Sequence, residues 1–260
     1  MDDLRLSIVI PAHNEEGSIG ETLEGLLQPL FEERIPFEIV VVDDGSNDST
    51  GACVMELAGR YPEIRLFRNT GPHGFGMAVR FGLEHFTGDA VAIVMADGSD
   101  SPLDVILYYR KLQEGFECVF GSRFMRGGRV VDYPKHKLIL NRVVNNFIRV
   151  IFGFRYNDVT NAFKCYRREV IEGIQPLISP HFNLTVEMPL KAIIRRYSYD
   201  VIPMSWTNRK TGFSKLRLQE MGSRYLFIVL YLWLEQILSR GDYHRHRASE
   251  YRSSSKATHV

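Results

Sequence analysis

Cysteine is scarce in this chain: Cys53, Cys118 and Cys165 are the three in 260 residues, widely spaced and with no Cys-x-x-Cys pair. That pattern excludes a disulfide framework and a structural zinc site, and it suits a reducing compartment. Long apolar runs are missing too. The run Tyr225 to Leu234 has ten residues, which as a helix reaches roughly 15 Å, half of a hydrocarbon core of about 30 Å, so it does not span a bilayer. Net charge is nearly absent, with 32 basic residues against 31 acidic ones. No overall basic field marks a nucleic-acid binder, and any anion site must be local. The start, MDDLRLSIVIPAHNEE, carries acids where a secretion signal needs positive charge, and Pro11 closes its apolar stretch at strand length; nothing there is expected to direct secretion.

What is present is ordinary globular material, 45% hydrophobic and 24% charged, enough for one α/β domain with an appendage. The most informative stretch is Ala90 to Pro102, AVAIVMADGSDSP. Its apolar run, Val91 to Met95, reads as a strand buried on both faces of a parallel sheet. Asp97, Gly98, Ser99, Asp100 and Ser101 follow, so two acids sit at a strand's carboxyl end, where open α/β sheets bind ligands. Alone they read in two ways: oxygen ligands for a hard cation and a nucleotide, or caps of the helix beginning near Pro102.

The chain repeats that unit. Leu6 to Pro11 is a strand, followed by the loop Ala12 to Glu16 and a helix with Ile19, Leu23, Leu26, Leu27 and Leu30 at helical spacing. Phe37 to Val42 is a second strand ending in Asp43-Asp44-Gly45-Ser46. Ile64 to Arg68 is a third, before the glycine loop Gly71-Pro-His-Gly-Phe-Gly76. Glycines there, including Gly74 and Gly76, let backbone amides approach a phosphate or sugar. Cys118 to Gly121 is a further strand that ends in Ser122-Arg123. The alternation predicts a doubly wound, mostly parallel sheet whose ligand edge gathers Asp43, Asp44, Asp97, Asp100 and Arg123. A dinucleotide-binding fingerprint is excluded, because the turn after the first strand is PAHNEE and not GxGxxG.

Two later segments carry amphipathic signals. In Lys137 to Gly153, Arg142, Asn145, Asn146 and Arg149 recur every three or four residues as one polar stripe. That stripe can grip a phosphate while Leu138, Ile139, Phe147 and Ile151 face lipid or core. Leu218 to Leu238 is an apolar helix with Arg240, His244, Arg245, His246, Arg247 and Arg252 behind it, which suits the surface of an anionic bilayer; packing on its own domain or in an oligomer is the alternative.

The pieces IPAHNE, VDDGS, the glycine loop, Met95-Ala96-Asp97, Gly121-Ser122-Arg123, Asp158-Val159-Thr160-Asn161-Ala162-Phe163 and Asn208-Arg209-Lys210-Thr211-Gly212-Phe213-Ser214-Lys215 stand in family order. Together they resemble glycosyltransferase family 2, and within it the polyprenyl-phosphate (dolichol-phosphate) mannose and glucose synthases of GT-A fold. The resemblance implies a catalytic domain over 1–216, a membrane-surface amphipathic helix over 217–240 and a basic, partly disordered tail over 241–260. It implies an inverting transfer of a sugar, first mannose from GDP-mannose, to a polyprenyl phosphate. Alternatives are a UDP-glucose type donor, a glycan or lipid-headgroup acceptor, or a nucleotide-sugar binder without catalysis.

By the same resemblance Pro11, Ala12, Asn14, Glu15, Asp43, Asp44, Gly74, Gly76 and Asp97 bind the nucleotide sugar. Asp97, Arg123, Arg209 and Lys215 are catalytic, the last two closing on the departing diphosphate, and Arg123, Arg142 and Asn146 take the acceptor phosphate. Asp97, Ser99 and Asp100 hold magnesium or manganese. Met95 replaces the family's first D-x-D aspartate, and thioether sulfur is a poor partner for a hard cation. Either the remaining oxygens and the diphosphate share the ion, or metal binding is weak. Glu187 has two readings, a supporting residue of the site or a helix acid paired with Lys191 at i+4. Expected partners are the nucleotide sugar, the polyprenyl phosphate, the cytoplasmic face of a membrane bound peripherally, and a second copy or a membrane protein; nucleic acid is not expected.

Overall fold

A computed structural model of the chain describes residues 4–208 and 218–245, with side chains in the last helix described from residue 222. Arg209 and Lys215 therefore lie outside the described residues, as do His246, Arg247 and Arg252.

In chain order the elements are β1 (Leu6–Ala12), α1 (Ile19–Glu32), β2 (Phe37–Asp43), α2 (Thr50–Arg60), β3 (Ile64–Arg68), α3 (Phe75–His85), β4 (Ala90–Ile93), α4 (Pro102–Gln113) and β5 (Cys118–Ser122), followed by β6 (Arg129–Val131), α5 (Lys135–Phe152), β7 (Lys164–Arg167), α6 (Arg168–Gly173), α7 (Leu184–Ile194), β8 (Tyr199–Pro203), β9 (Ser205–Thr207) and α8 (Leu218–Leu238). Seven strands form one sheet in the order β3-β2-β1-β4-β7-β5-β8. Strands β3, β2, β1 and β4 are mutually parallel, as are β5 and β8, while β7 runs antiparallel to both its neighbours. The sheet is thus mostly parallel, as expected, with one reversed strand in its middle. β6 and β9 form a separate parallel pair.

Alternation along each strand feeds two cores. Ile8, Ile10, Ile39 and Val41 face α1, α2 and α4, whereas Val9, Val40 and Val42 face α3, α6, α7 and parts of α5 and α8. The strand that opens the Ala90 stretch closes at Ile93, two residues earlier than its apolar run; Val94 stays buried while the backbone leaves the sheet to build the acidic turn.

The last helix packs on its own domain through one face. Ile228, Val229 and Leu232 are in the core. A buried ion pair, Arg195 Nε to Glu235 Oε1 at 2.9 Å, ties α8 to the end of α7, and the Tyr225 hydroxyl donates to the Phe182 carbonyl at 3.2 Å. The opposite face is open, with Phe227 61% and Leu238 69% exposed. In helix α5 Asn145, central in its polar stripe, points inward beside Ile148 and Phe152, while Ile139, Val143, Phe147 and Val150 are exposed. No described helix is long and apolar enough to cross a membrane.

Candidate active site

The carboxyl ends of β1, β2 and β4 open into a cavity of about 970 Å3. Its lining comes from the loops after β1, β2 and β3 (Pro11, Ala12, Glu15, Asp44 and Gly74), from the segments after β4 and β5 (Met95, Asp97, Ser99, Asp100 and Arg123), and from α5 and α8 (Asn141, Val144, Tyr225, Leu226 and Val229). Sequence segments far apart in the chain thus meet around one cavity, acidic loop residues and apolar residues of α5 and α8 together.

The carboxylates at the end of β2 are committed to shaping loops, and Asn14, Asp43 and Gly76 stand behind the lining and not in it. One oxygen of Asp43 accepts the Ser46 amide at 2.9 Å. Asp44 holds the glycine loop, accepting from Asn69 Nδ2 at 2.7 Å and from the Gly74 amide at 2.7 Å, with His73 Nδ1 at 3.1 Å. Asn14 adopts a left-handed φ of 52°; its amide donates to Ser46 Oγ at 3.0 Å and its side-chain oxygen accepts the Asn47 amide at 2.7 Å, which locks the first loop to the second. The Glu15 amide joins that lock by donating to Thr50 Oγ1 at 2.8 Å.

Gly76 lies behind the loop, where an added Cβ would fall 2.3 Å from the Ser179 carbonyl oxygen and 2.7 Å from the Pro180 carbonyl carbon. Glu187 fixes that segment, accepting the Ile178 and Ser179 amides at 2.8 Å each and pairing with Lys191 at 2.7 Å. Both side chains of the pair are fully buried. Of the two readings of Glu187, the helix pair is the one observed.

In the turn after β4, Asp97 Oδ1 accepts the Ser99 amide at 3.1 Å, a tight turn helped by Gly98 at φ 67°. Asp100 is buried and accepts the Met95 amide at 3.1 Å. Burial pushes its pKa up to about 7, the Met95 bond opposing and the Asp97 charge reinforcing that shift. Among the described residues no group of three His, Cys, Asp or Glu side chains is placed to hold a metal. The oxygens present suit a hard divalent ion only in company with substrate phosphates, which is the usual way magnesium is held. The sulfur of Met95, at the cavity wall, adds nothing to such a donor set.

Arg123 is buried against Asp158, donating to it from its backbone amide at 2.9 Å, Nε at 2.8 Å and Nη2 at 2.7 Å. Tyr133 and Trp206, packed edge to face at 4.9 Å, line the cavity nearby. Arg142 stacks on Phe124, its guanidinium carbon 4.6 Å from the ring centre, with Nη1 buried and without a hydrogen bond. Asn146, further along that stripe, is half-buried, and neither Arg142 nor Asn146 is among the residues lining the cavity.

Asp158, Thr160, Asn161, Tyr133 and Trp206 were not singled out by role from the sequence. The motif Asp158 to Phe163 carried the first three without saying what they do, and nothing local marks Tyr133 and Trp206, which meet only through the pairing of β6 with β9.

The polyprenol monophosphomannose synthase of Mycolicibacterium smegmatis is 31% identical over 218 residues, covering 82% of this chain and 81% of that protein. The dolichol-phosphate mannosyltransferase of Pyrococcus furiosus is 29% identical over 223 residues, covering 82% of this chain and 60% of that longer protein. In fold, the chain is similar to glucosyl-3-phosphoglycerate synthase from Mycobacterium tuberculosis in complex with UDP, with a TM-score of 0.65 at 19% identity over 90% of this chain and 80% of the other. The complex of that synthase with Mg2+ and UDP gives 0.64 at 21% identity, over 90% and 79%. The architecture is the GT-A fold, and since the model of Glycosyl transferase family 2 matches residues 7–175, the chain belongs to that family and is a glycosyltransferase.

Proposed function

We propose that this enzyme transfers a hexose, mannose from GDP-mannose, to the phosphate of a polyprenyl carrier at a membrane surface. The observation that carries the reading is the cavity itself, lined both by acidic loop residues at the sheet edge and by apolar residues of α5 and α8. A charged nucleotide sugar and an acceptor with an apolar tail need such a pair of environments in one cavity. The names of the two relatives point the same way.

In this reading the loops held by Asn14, Asp43 and Asp44 receive base and ribose, and Gly74 admits the diphosphate close to its backbone. Asp97, with Ser99 and Asp100, would hold a divalent ion that neutralises the leaving diphosphate. Arg209 and Lys215 would add positive charge to the same group as it departs. The acceptor phosphate, with a second pKa of about 6, is already anionic at neutral pH, so attack needs no general base. Arg142 and Asn146, with Arg123 steadied by Asp158, would orient it. The exposed apolar faces of α5 and α8 would lie against lipid, with cationic residues such as Lys135 and Arg240 beside them. A cytoplasmic face accords with three free cysteines.

The test is to incubate the protein with GDP-mannose or UDP-glucose and a divalent ion, offering a short polyprenyl phosphate, a soluble glycan or 3-phosphoglycerate. Mannosyl transfer to polyprenyl phosphate alone is expected. Transfer only to a soluble acceptor, or nucleotide binding without turnover on any acceptor, would overturn the proposal.

A further inference from the structure

Lys164 opens β7, the reversed strand, and is wholly buried. Its ammonium donates to the backbone carbonyls of Val159 at 3.0 Å and Thr185 at 3.1 Å, and to that of Asn161. An ammonium has three N–H donors, and three carbonyls use them all. The carbonyls belong to two segments distant in sequence, the turn 158–163 and the first turn of α7, and Thr160, Asn161, Ala162 and Thr185 from those segments line the cavity. The same turn carries Asp158, which holds Arg123. On its other side it is held by Asn145, which accepts the Thr160 amide at 3.2 Å and donates to Thr160 Oγ1 at 2.9 Å.

Burying an ammonium is costly, and an aliphatic side chain would fill the space more cheaply. We infer that Lys164 is a positioning residue for the acceptor end of the site: by binding three carbonyls it clamps the turn 158–163 onto α7, so that Asp158 presents Arg123 to the cavity. Burial draws its pKa down to about 7, the charge of Asp158 opposing that shift, so the ammonium with all three donors prevails below that pH. All three donors being used, Lys164 acts through the turn and not on substrate. The inference rests on the proposed division of the cavity into donor and acceptor ends.

Lys164→Met, Lys164→Arg and Asn145→Ala test it by hydrogen exchange of amides 158–163, GDP binding by calorimetry, and transfer kinetics. In Lys164→Met those amides should exchange about tenfold faster while the rest of the sheet is unchanged, since the lost bonds are to a charged group. GDP affinity should stay within about twofold, and the KM for polyprenyl phosphate should rise about tenfold, the equivalent of one such bond. Lys164→Arg, which keeps charge and donors, should recover part of the loss. Should Lys164→Met not fold, Asn145→Ala, which frees the same turn from its other side, carries the same expected split. Unchanged exchange in the turn, or GDP affinity falling in step with the acceptor kinetics, would overturn the assignment. If wild type turns over no polyprenyl phosphate, the proposed function fails while the exchange and GDP results still decide the clamp.

Discussion

The pair Arg123–Asp158 allows fold and chemistry to be separated by substitution. Both side chains are buried, and three hydrogen bonds of 2.7–2.9 Å join them. Asp158→Ala leaves a guanidinium that cannot give up its proton, and an orphaned buried charge costs about 3–5 kcal/mol. For a chain of this size that is a fall in melting temperature on the order of 6–20 °C. Arg123→Met should likewise destabilise, because it leaves the Asp158 carboxylate buried without its partner. The double variant Arg123→Met/Asp158→Leu, with no charge left, should regain most of the loss, since apolar replacements of buried pairs are often neutral. Transfer to polyprenyl phosphate should nonetheless stay down in all three, with GDP binding kept. Thermal and urea unfolding, calorimetry and a radiolabelled transfer assay read these quantities. Asp158→Ala within about 1 kcal/mol of wild type would refute the energetic argument, and a double variant with full transfer would remove Arg123 from the acceptor site.

Asp97→Ala should abolish turnover, and Met95→Asp should tighten manganese binding by calorimetry; undiminished transfer by Asp97→Ala at saturating substrate would refute the metal assignment. Gly76→Ala should destabilise by about 1–3 kcal/mol in spite of alanine's helix preference, because the new methyl meets the Ser179 and Pro180 backbone, and weakened GDP binding should accompany the loss. Glu38 is buried, which raises its pKa, but hydrogen bonds from Ser7, Thr87 and Arg65 outweigh burial and bring it down to about 2. Its stabilisation, about 3 kcal/mol, is present above pH 4.5 and is lost as the pH falls towards 2; Glu38→Gln should flatten that acid limb in urea titrations. Because Ile228, Val229 and Leu232 are core residues, deleting α8 would damage the fold, whereas Phe227→Glu with Leu234→Glu changes exposed positions. That double variant should stay folded and lose flotation with anionic liposomes, the remaining attachment falling with salt; flotation equal to wild type would leave lipid contact to other surfaces.

The sequence by itself determined the alternation of strands and helices, because apolar periodicity and the turn residues after each strand are local signals. It also determined that Asp43, Asp44, Asp97 and Arg123 gather at one sheet edge, since strands of one direction bring their carboxyl ends together. Tertiary structure alone decided β7, four residues with a lysine and an arginine, whose strand character comes from pairing with β4 and β5 and not from pattern. It decided that Asp44 binds the glycine loop through both oxygens, that Glu187 serves Lys191 and a backbone turn, and that Asn145 of α5 turns inward to hold Thr160. Those outcomes depend on which donors long-range packing brings within 3 Å of a carboxylate or carbonyl, a distance on which spacing along one chain has no bearing. Lys164 is the plainest case: in sequence it is a charge beside a motif, and only the arrival of three carbonyls from residues 159, 161 and 185 gives that charge a reason to be buried.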